Sequence, residues 1–323
     1  MKRLVVILLL PLLQPIALAQ GPQPVKLGFY NVENFYDTIP SLFRDDGDFT
    51  PQGRNRWNTE RYLRKTANLA RVLDDMSLDV VALAEVENEA VVRDLVTTLH
   101  TDYNYIYRTT GDFRGLDVAL LYKGDKLYPG RVRQIELGST REALYVRGEL
   151  HGKRIDLIIC HLPSKLNNKA YQRLAMTNIH NFADSLQRCD GEAHIVVMGD
   201  MNCDPRERPM RDIFGLNTAL DDLFSPLLPE AQKGGGSYVY NSRRMMFDNI
   251  FLSRALFDLP GPIVCRSAGV FVRDYMLAAA LSGMKTGYPL RTFVGTDYVG
   301  GFSDHLPVYV ILEVIGRQRS LSK

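Results

Sequence analysis

A carboxylate and a carboxamide stand two residues apart in Gly199-Asp200-Met201-Asn202, directly after an apolar run at residues 195–198. Cleaving a phosphodiester with water needs such a pair, one group to hold or deprotonate the water and the other to direct it. The same residues also suit an Asx turn, in which Asp200 and Asn202 bond nearby backbone amides, and the motif alone leaves both readings open. A second segment, residues 300–310, contains Ser303-Asp304-His305. Adjacent Asp and His side chains leave the backbone in different directions, so they act on different atoms of one site rather than on each other. Histidine suits proton transfer near neutral pH when a carboxylate elsewhere sets its tautomer. An exposed turn with a loosely bonded histidine is the alternative.

These groups can cooperate only if buried elements deliver them to one place. Residues 79–85, Asp-Val-Val-Ala-Leu-Ala-Glu, read as a short buried strand with Glu85 at its carboxyl end. Residues 25–32, 117–122, 155–160 and 194–198 read as further strands. Thr59 is the expected cap of a helix whose apolar stripe includes Tyr62, Leu63, Ala67, Ala70, Val72 and Leu73. Helices are also expected at residues 90–99 and 171–186, and the alternation with strands indicates an α/β or mixed layered fold. Polar residues recur just after the buried strands: Asn31, Glu85, His161, Asp200, Asn202 and the Asp304-His305 pair. Strand ends and their loops line the ligand crevice in such layered proteins. Residues 41–58 hold Asp45, Asp46 and Asp48 but lack the spacing and terminal Glu of a calcium loop, and read as irregular surface.

Composition bounds the remaining classes. Met1-Lys2-Arg3, an apolar run at 4–13 and Ala17-Leu18-Ala19 read as a signal peptide of residues 1–19, so export to a periplasm or beyond is expected, with residues 20–323 as one catalytic domain. Loss of Lys2 and Arg3 lowers the basic count from 39 to 37, equal to the 37 acidic residues, which argues against nucleic-acid binding by bulk charge and leaves only local patches. Cys160, Cys189, Cys203 and Cys265 are too few and too scattered to staple the chain, and they lack zinc-site spacing. Cys160 ends an apolar run and is expected to be a small buried hydrophobe. No disulfide pairing can be chosen from spacing.

Taken in order, Tyr30-Asn31-Val32-Glu33-Asn34-Phe35, Ala84-Glu85-Val86-Glu87-Asn88, His161-Leu162-Pro163-Ser164, Gly199-Asp200-Met201-Asn202, Phe247-Asp248-Asn249-Ile250 and Ser303-Asp304-His305 resemble the endonuclease/exonuclease/phosphatase family. The resemblance runs from about Val25 to about Val314. It implies a four-layer sandwich, two mixed β-sheets face to face with helices outside, as in deoxyribonuclease I-like proteins. It also implies a divalent metal, Mg²⁺ with Mn²⁺ or Ca²⁺ as alternatives, bound directly by Glu85, supported by Asn31 and completed by Asp304. Hard oxygen donors suit such ions. By the same resemblance Asp248 would hold His305, Asp200 would position or deprotonate water, and Asn202 would orient it. His161 would stabilise the phosphate or protonate the leaving oxygen, with Asp117 as its candidate partner. The reaction implied is in-line attack of water on phosphorus without a covalent enzyme intermediate.

Ala84 stands where many members of that family carry Gln, which removes any contact by that amide but leaves the carboxylate of Glu85. Arg114, Ser164 and Lys165 are candidate substrate contacts together with Asp117. Trp57 beside Arg54, Arg56 and Arg61 is either a stacking surface for nucleic acid or a packing residue under a loop. Residues 266–299 exceed a simple strand connection and either wall the crevice or form a surface elaboration. Nucleic acid is the first expected substrate, with a phospholipid headgroup or inositol phosphate second. No clear aromatic hairpin for membrane lipid is evident, and no protein partner is implied.

Overall fold

The computed structural model describes residues 22–138, 141–164, 169–215, 222–258, 261–279 and 284–315. The expected signal peptide and Lys165 lie outside the described residues. In chain order the strands begin with β1 (Gln23–Phe35), β2 (Val80–Val86), β3 (Asn104–Arg108), β4 (Asp117–Tyr122), β5 (Leu127–Glu136) and β6 (Glu142–Leu150). They continue with β7 (Lys153–His161), β8 (Ile195–Asp200), β9 (Leu223–Phe224), β10 (Tyr238–Tyr240) and β11 (Arg243–Met245). The last are β12 (Asp248–Ser253), β13 (Ile263–Val270), β14 (Phe293–Val294), β15 (Asp297–Tyr298) and β16 (Val308–Val314). The α-helices are α1 (Thr59–Met76), α2 (Glu89–Thr98), α3 (Lys169–Cys189), α4 (Arg208–Phe214) and α5 (Leu228–Gln232).

Two six-stranded sheets form, in the orders β13-β16-β1-β2-β4-β3 and β5-β6-β7-β8-β12-β9. Each is mixed, because β1 and β2 run parallel in one and β7 and β8 run parallel in the other, while their other pairs are antiparallel. Strict alternation along each central strand builds the layers. Leu27, Phe29, Val80 and Ala82 face Leu157, Ile159, Val196 and Met198 between the sheets. Their neighbours Tyr30, Val81 and Leu83 pack outward with α1 and α2 residues such as Leu69, Leu73 and Leu95. On the opposite side Ile158, Cys160 and Val197 pack with Ala175, Met176 and Ile179 of α3. Strands covered on both faces must be apolar throughout, which is why β2, β7 and β8 read as unbroken runs. The four-layer sandwich is as the resemblance implied.

Two details differ from the sequence reading, the cap of α1 and the strands it missed, and the alternative left open at Trp57 is decided. The cap of α1 is Asn58, whose side chain accepts from the Arg61 amide, so Thr59 is the first helical residue instead. Trp57 is fully buried, donates from Nε1 to the Tyr36 carbonyl at 2.9 Å and packs on Phe49, Phe293 and Tyr298. It is therefore a packing residue that fastens the loop carrying β14 and β15, and offers no stacking face to nucleic acid. Strands β3, β5, β6, β9, β12, β13 and β16 of the two sheets were not anticipated, since β5 is mostly exposed, β6 is interrupted by Arg147 and Glu149, and β12 and β16 adjoin motifs that read as loops. All four cysteines are free thiols, and Cys160 is buried as expected.

Candidate active site

The site assembles where the two sheets present adjacent strand ends. In the second sheet His161, Asp200 and Asp248 are cross-strand neighbours, the carboxyl ends of β7 and β8 lying beside the first residue of β12. Gly199 makes this approach feasible, because a Cβ there would collide with the carbonyl of Cys160. In the first sheet Asn31 pairs with Ala84, and the register then breaks between Asn31 and Phe35 and between Ala84 and Val86. Glu85 sits in that bulge with φ +66°, and Glu33 and Asn34 are also left-handed at +53° and +48°. Non-glycine residues held there cost about 1–3 kcal/mol each, a strain kept where it aims a side chain. Here it turns Glu85 into the cavity, where Asn31 Nδ2 and the Asn34 amide bond its two oxygens at 3.2 and 2.8 Å.

One cavity of about 270 Å³ is lined by Glu85, His161, Asp200, Asn202, Asp304 and His305, with Arg114 and Arg141 on one wall and Tyr238 on another. Asn31 Nδ2 also reaches Asp200 Oδ2 at 3.1 Å. The imidazoles flank that same oxygen, His161 Nε2 at 3.7 Å and His305 Nε2 at 3.8 Å. Asp248 Oδ2 holds His305 Nδ1 at 2.6 Å, and Tyr238 lies against the His305 ring. Asn202, left-handed at φ +49°, donates its amide to Asp200 Oδ1 at 2.7 Å and its side chain to the Leu162 carbonyl at 2.9 Å. The Asx turn is therefore real, and it orients the pair instead of replacing its chemistry. Ser303 ties the Asp304-His305 loop to β1, since its hydroxyl donates to the Asn31 carbonyl at 2.7 Å and accepts from the His305 amide at 3.0 Å.

Electrostatics assign different tasks to the two histidines. Burial alone would lower the proton affinity of His305, but the carboxylates of Asp248 and Asp200 overcome it and hold the imidazole well above its ordinary value. Burial pushes the Asp200 carboxyl up, while the charge of His305 works against that rise. His161 is held well below its ordinary value by burial and then by the nearby Arg141 and Arg114 charges, so it stays neutral. Its Nε2 faces Glu85 Oε1 at 3.6 Å as well as Asp200, while its buried Nδ1 has no hydrogen-bond partner among the described residues.

The expected pairing of His161 with Asp117 is not formed. Asp117 is fully buried at the start of β4 and gives one oxygen to Thr110, through amide and hydroxyl both at 2.7 Å, and the other to the Tyr107 hydroxyl at 2.5 Å. With both oxygens engaged away from the cavity, Asp117 fastens the β3–β4 connection and is not a substrate contact. Ser164 and Arg114 do line the cavity.

The structure also brings in residues whose roles were not read from sequence. Arg141 is buried, pairs with Asp112 at 2.6 Å and donates to the Leu162 carbonyl at 2.9 Å, bracing the loop that begins at His161. Arg291 donates to Asp304 Oδ2 at 2.6 Å and to Glu33 Oε1 at 3.3 Å. Glu33 in turn accepts from the Thr292 amide at 2.7 Å and lies 3.8 Å from the buried Lys65. Glu33 and Arg291 were both visible as charges, Glu33 within a motif and Arg291 within the long segment at 266–299, but nothing in their spacing linked residues 258 apart. That segment thus reaches the crevice only indirectly, Arg291 bracing Asp304 from behind the lining.

Glu85 and Asp304 are the groups able to hold a metal, while Asn31 turns Nδ2 toward Glu85 and Asp200 and accepts the Glu33 amide on Oδ1 at 3.0 Å, so it steadies the carboxylates. Three carboxylates, Glu85, Asp200 and Asp304, line one small cavity, and hard oxygens concentrated this way fit a divalent cation. Asp200, Asp248 and His305 also cluster within 4.8 Å of one another, but Asp248 Oδ2 and His305 Nδ1 are committed to each other at 2.6 Å, which marks them as a hydrogen-bonded dyad more than a ligand set.

A layered fold with a carboxylate-imidazole site at its strand ends defines a hydrolase of the phosphoesterase type. The model of the endonuclease/exonuclease/phosphatase family matches residues 26–314, and the chain belongs to that family. No curated protein matches the sequence. Solved structures resemble it at low identity and so speak for the fold alone. An endonuclease/exonuclease/phosphatase family protein of Bacteroides thetaiotaomicron is 15% identical, with TM-score 0.60, over 92% of this chain and 96% of that one. A mannosyl-6-phosphatase of the same organism is 15% identical, with TM-score 0.59, over 89% and 99%. TDP2 of D. rerio complexed with a single-strand DNA product is 17% identical, with TM-score 0.56, over 90% and 98%.

Proposed function

We propose that this protein is an exported, divalent-metal-dependent phosphodiesterase whose substrate is nucleic acid, cleaved by in-line attack of water. The observation that carries the reading is the placement of one Asp200 oxygen between two imidazole nitrogens and the Asn31 amide, with His305 pinned by Asp248 behind it. A carboxylate whose proton affinity is raised by burial suits the removal of a proton from water, and Asn202 fixes its rotamer. His305, kept protonated, places positive charge against phosphate oxygens as charge builds in the transition state. Neutral His161 contributes a hydrogen bond through Nε2 to the same region. A divalent cation held by Glu85 and Asp304, with Asn31 steadying the carboxylates, would neutralise nonbridging and leaving oxygens. Arg114 and Ser164 lie where a substrate phosphate can meet them. Export rests on the basic, apolar and small-residue succession of residues 1–19.

The test is to strip the protein of metal and incubate it with plasmid DNA, RNA, sphingomyelin, inositol phosphates and a sugar phosphate, each with and without Mg²⁺, Mn²⁺ or Ca²⁺. Metal-dependent cleavage of DNA or RNA is expected. Turnover confined to lipid or to a phosphomonoester would transfer the reading to that substrate class, and no turnover with any metal would overturn it.

A further inference from the structure

A second cavity, of about 620 Å³, adjoins the catalytic one and shares Tyr240 with it. Its wall is basic, formed by Lys169 and Arg173 from the first turns of α3 and by Arg208 from the start of α4, against Glu207. Arg173 and Arg208 both lean on Asp212, at 3.5 Å each, so a single carboxylate is divided between two guanidinium groups and positive charge remains. Two contacts lock this annex to the catalytic centre. Gln172 in its wall donates to the backbone carbonyls of Met201 and Asn202, the turn that orients Asp200. The β10–β11 hairpin bearing Tyr240 is bridged through Tyr238 to His305, and Tyr238 stacks on Phe247.

We propose that this annex is a tracking site for a single nucleic-acid strand, holding phosphates beyond the scissile one while Tyr240, shared by the two cavities, carries a base across from the catalytic one. The inference rests on the nuclease reading above and extends it to substrate form. A net-neutral mature chain gains little from bulk charge, so local basic residues next to aromatic faces are what can hold a strand without reading its sequence. The catalytic cavity alone is too small for more than a phosphate and its immediate neighbours. Affinity should therefore rise with strand length until the annex is filled.

The experiment measures fluorescence anisotropy of labelled oligothymidylates of two, four, eight and twelve nucleotides with metal-free protein in chelator, at several salt concentrations. Wild-type protein should bind the eight-nucleotide strand at least about tenfold more tightly than the dinucleotide. The double variant Lys169→Gln/Arg173→Gln should lose that gain and lower the slope of log affinity against log salt by about two. Lys126→Gln/Lys153→Gln, at the end of β5 and β7 opposite to His161, controls for net charge and should keep both. Melting temperatures of all three proteins show whether the variants are folded. Length-independent binding in the wild type, or equal losses in both double variants, overturns the annex. Turnover of bis(p-nitrophenyl) phosphate with Mn²⁺ by the wild type is measured separately. Its absence with annex-dependent binding intact would sink the catalytic reading and leave the annex standing.

Discussion

In the proposed reaction Asp248 touches no substrate and acts through His305, because an imidazole held at Nδ1 by a buried carboxylate keeps its charge and direction at Nε2. Asp248→Asn should lower kcat by about 100-fold or more, the usual scale for proton-transfer partners, with an unchanged circular dichroism spectrum. A folded variant retaining more than a tenth of wild-type kcat would remove His305 from this role. Arg291 is a positioning residue for Asp304 and acts one step from the substrate. Arg291→Ala should raise the Mn²⁺ concentration giving half-maximal activity by about 10-fold, with a smaller change in saturated kcat, and Arg291→Lys should recover part of it. An unchanged metal titration would make the contact merely structural. The groups gathered in the cavity were largely legible from sequence, because each of Asn31, Glu85, His161 and Asp200 ends an apolar run and His305 sits just before the apolar β16. Arg141 and Arg291 were not, since a surface arginine and a buried one look alike until the fold supplies their partners.

At the scale of elements, the strained bulge of β2 and the glycine of β8 show how regular sheets are modified to serve the cavity. Asp117 marks the contrary case, a strand-end carboxylate that serves the fold. Asp117→Ala leaves Thr110 and Tyr107 without their acceptor and should cost about 1–3 kcal/mol in urea unfolding. Turnover per folded molecule should nonetheless stay at the wild-type level, and a large fall in kcat would restore Asp117 as the partner of His161. Trp57 joins residues 49 and 293–298 into one aromatic cluster beneath the long loop, and Trp57→Ala should cost about 3–5 kcal/mol. Helices α1 to α3 and strands β1, β2, β4, β7 and β8 were legible within a few residues, since burial on both faces enforces largely apolar runs. Edge strand β5 escaped notice because charge dilutes its pattern, and the interior β6, β12 and β16 were read only as motif flanks or loops.

For the whole molecule, His194 and Asp204 each contribute stability that is lost as pH drops, and the sign of each follows from its own shift. Burial lowers the proton affinity of His194, so the unfolded chain binds more protons as pH falls below about 6.5, and folding stability declines through that window. Burial opposes the charge of Asp204, but hydrogen bonds from Arg206 and the Met246 amide prevail and hold its carboxyl below the ordinary range. Its contribution is complete above the unfolded value near about 3.9 and is lost as pH falls through the folded one. Urea unfolding between pH 7 and pH 3 should show His194→Gln with a flatter slope in the upper part of that range and Asp204→Asn with a flatter slope in the lower part. Parallel curves for wild type and both variants would contradict this.

Sequence by itself determined the layered class, the family resemblance and most of the polar groups that gather in the cavity, because apolar periodicity and short motifs are local and survive in one dimension. Only the tertiary structure decided who meets whom: that His161 stands without Asp117, that Arg291 braces Asp304, that Trp57 is buried, and that a basic annex adjoins the catalytic cavity. Such pairings depend on sheet register and on loops closing over tens to hundreds of residues, where a single-residue shift reverses the face a side chain presents.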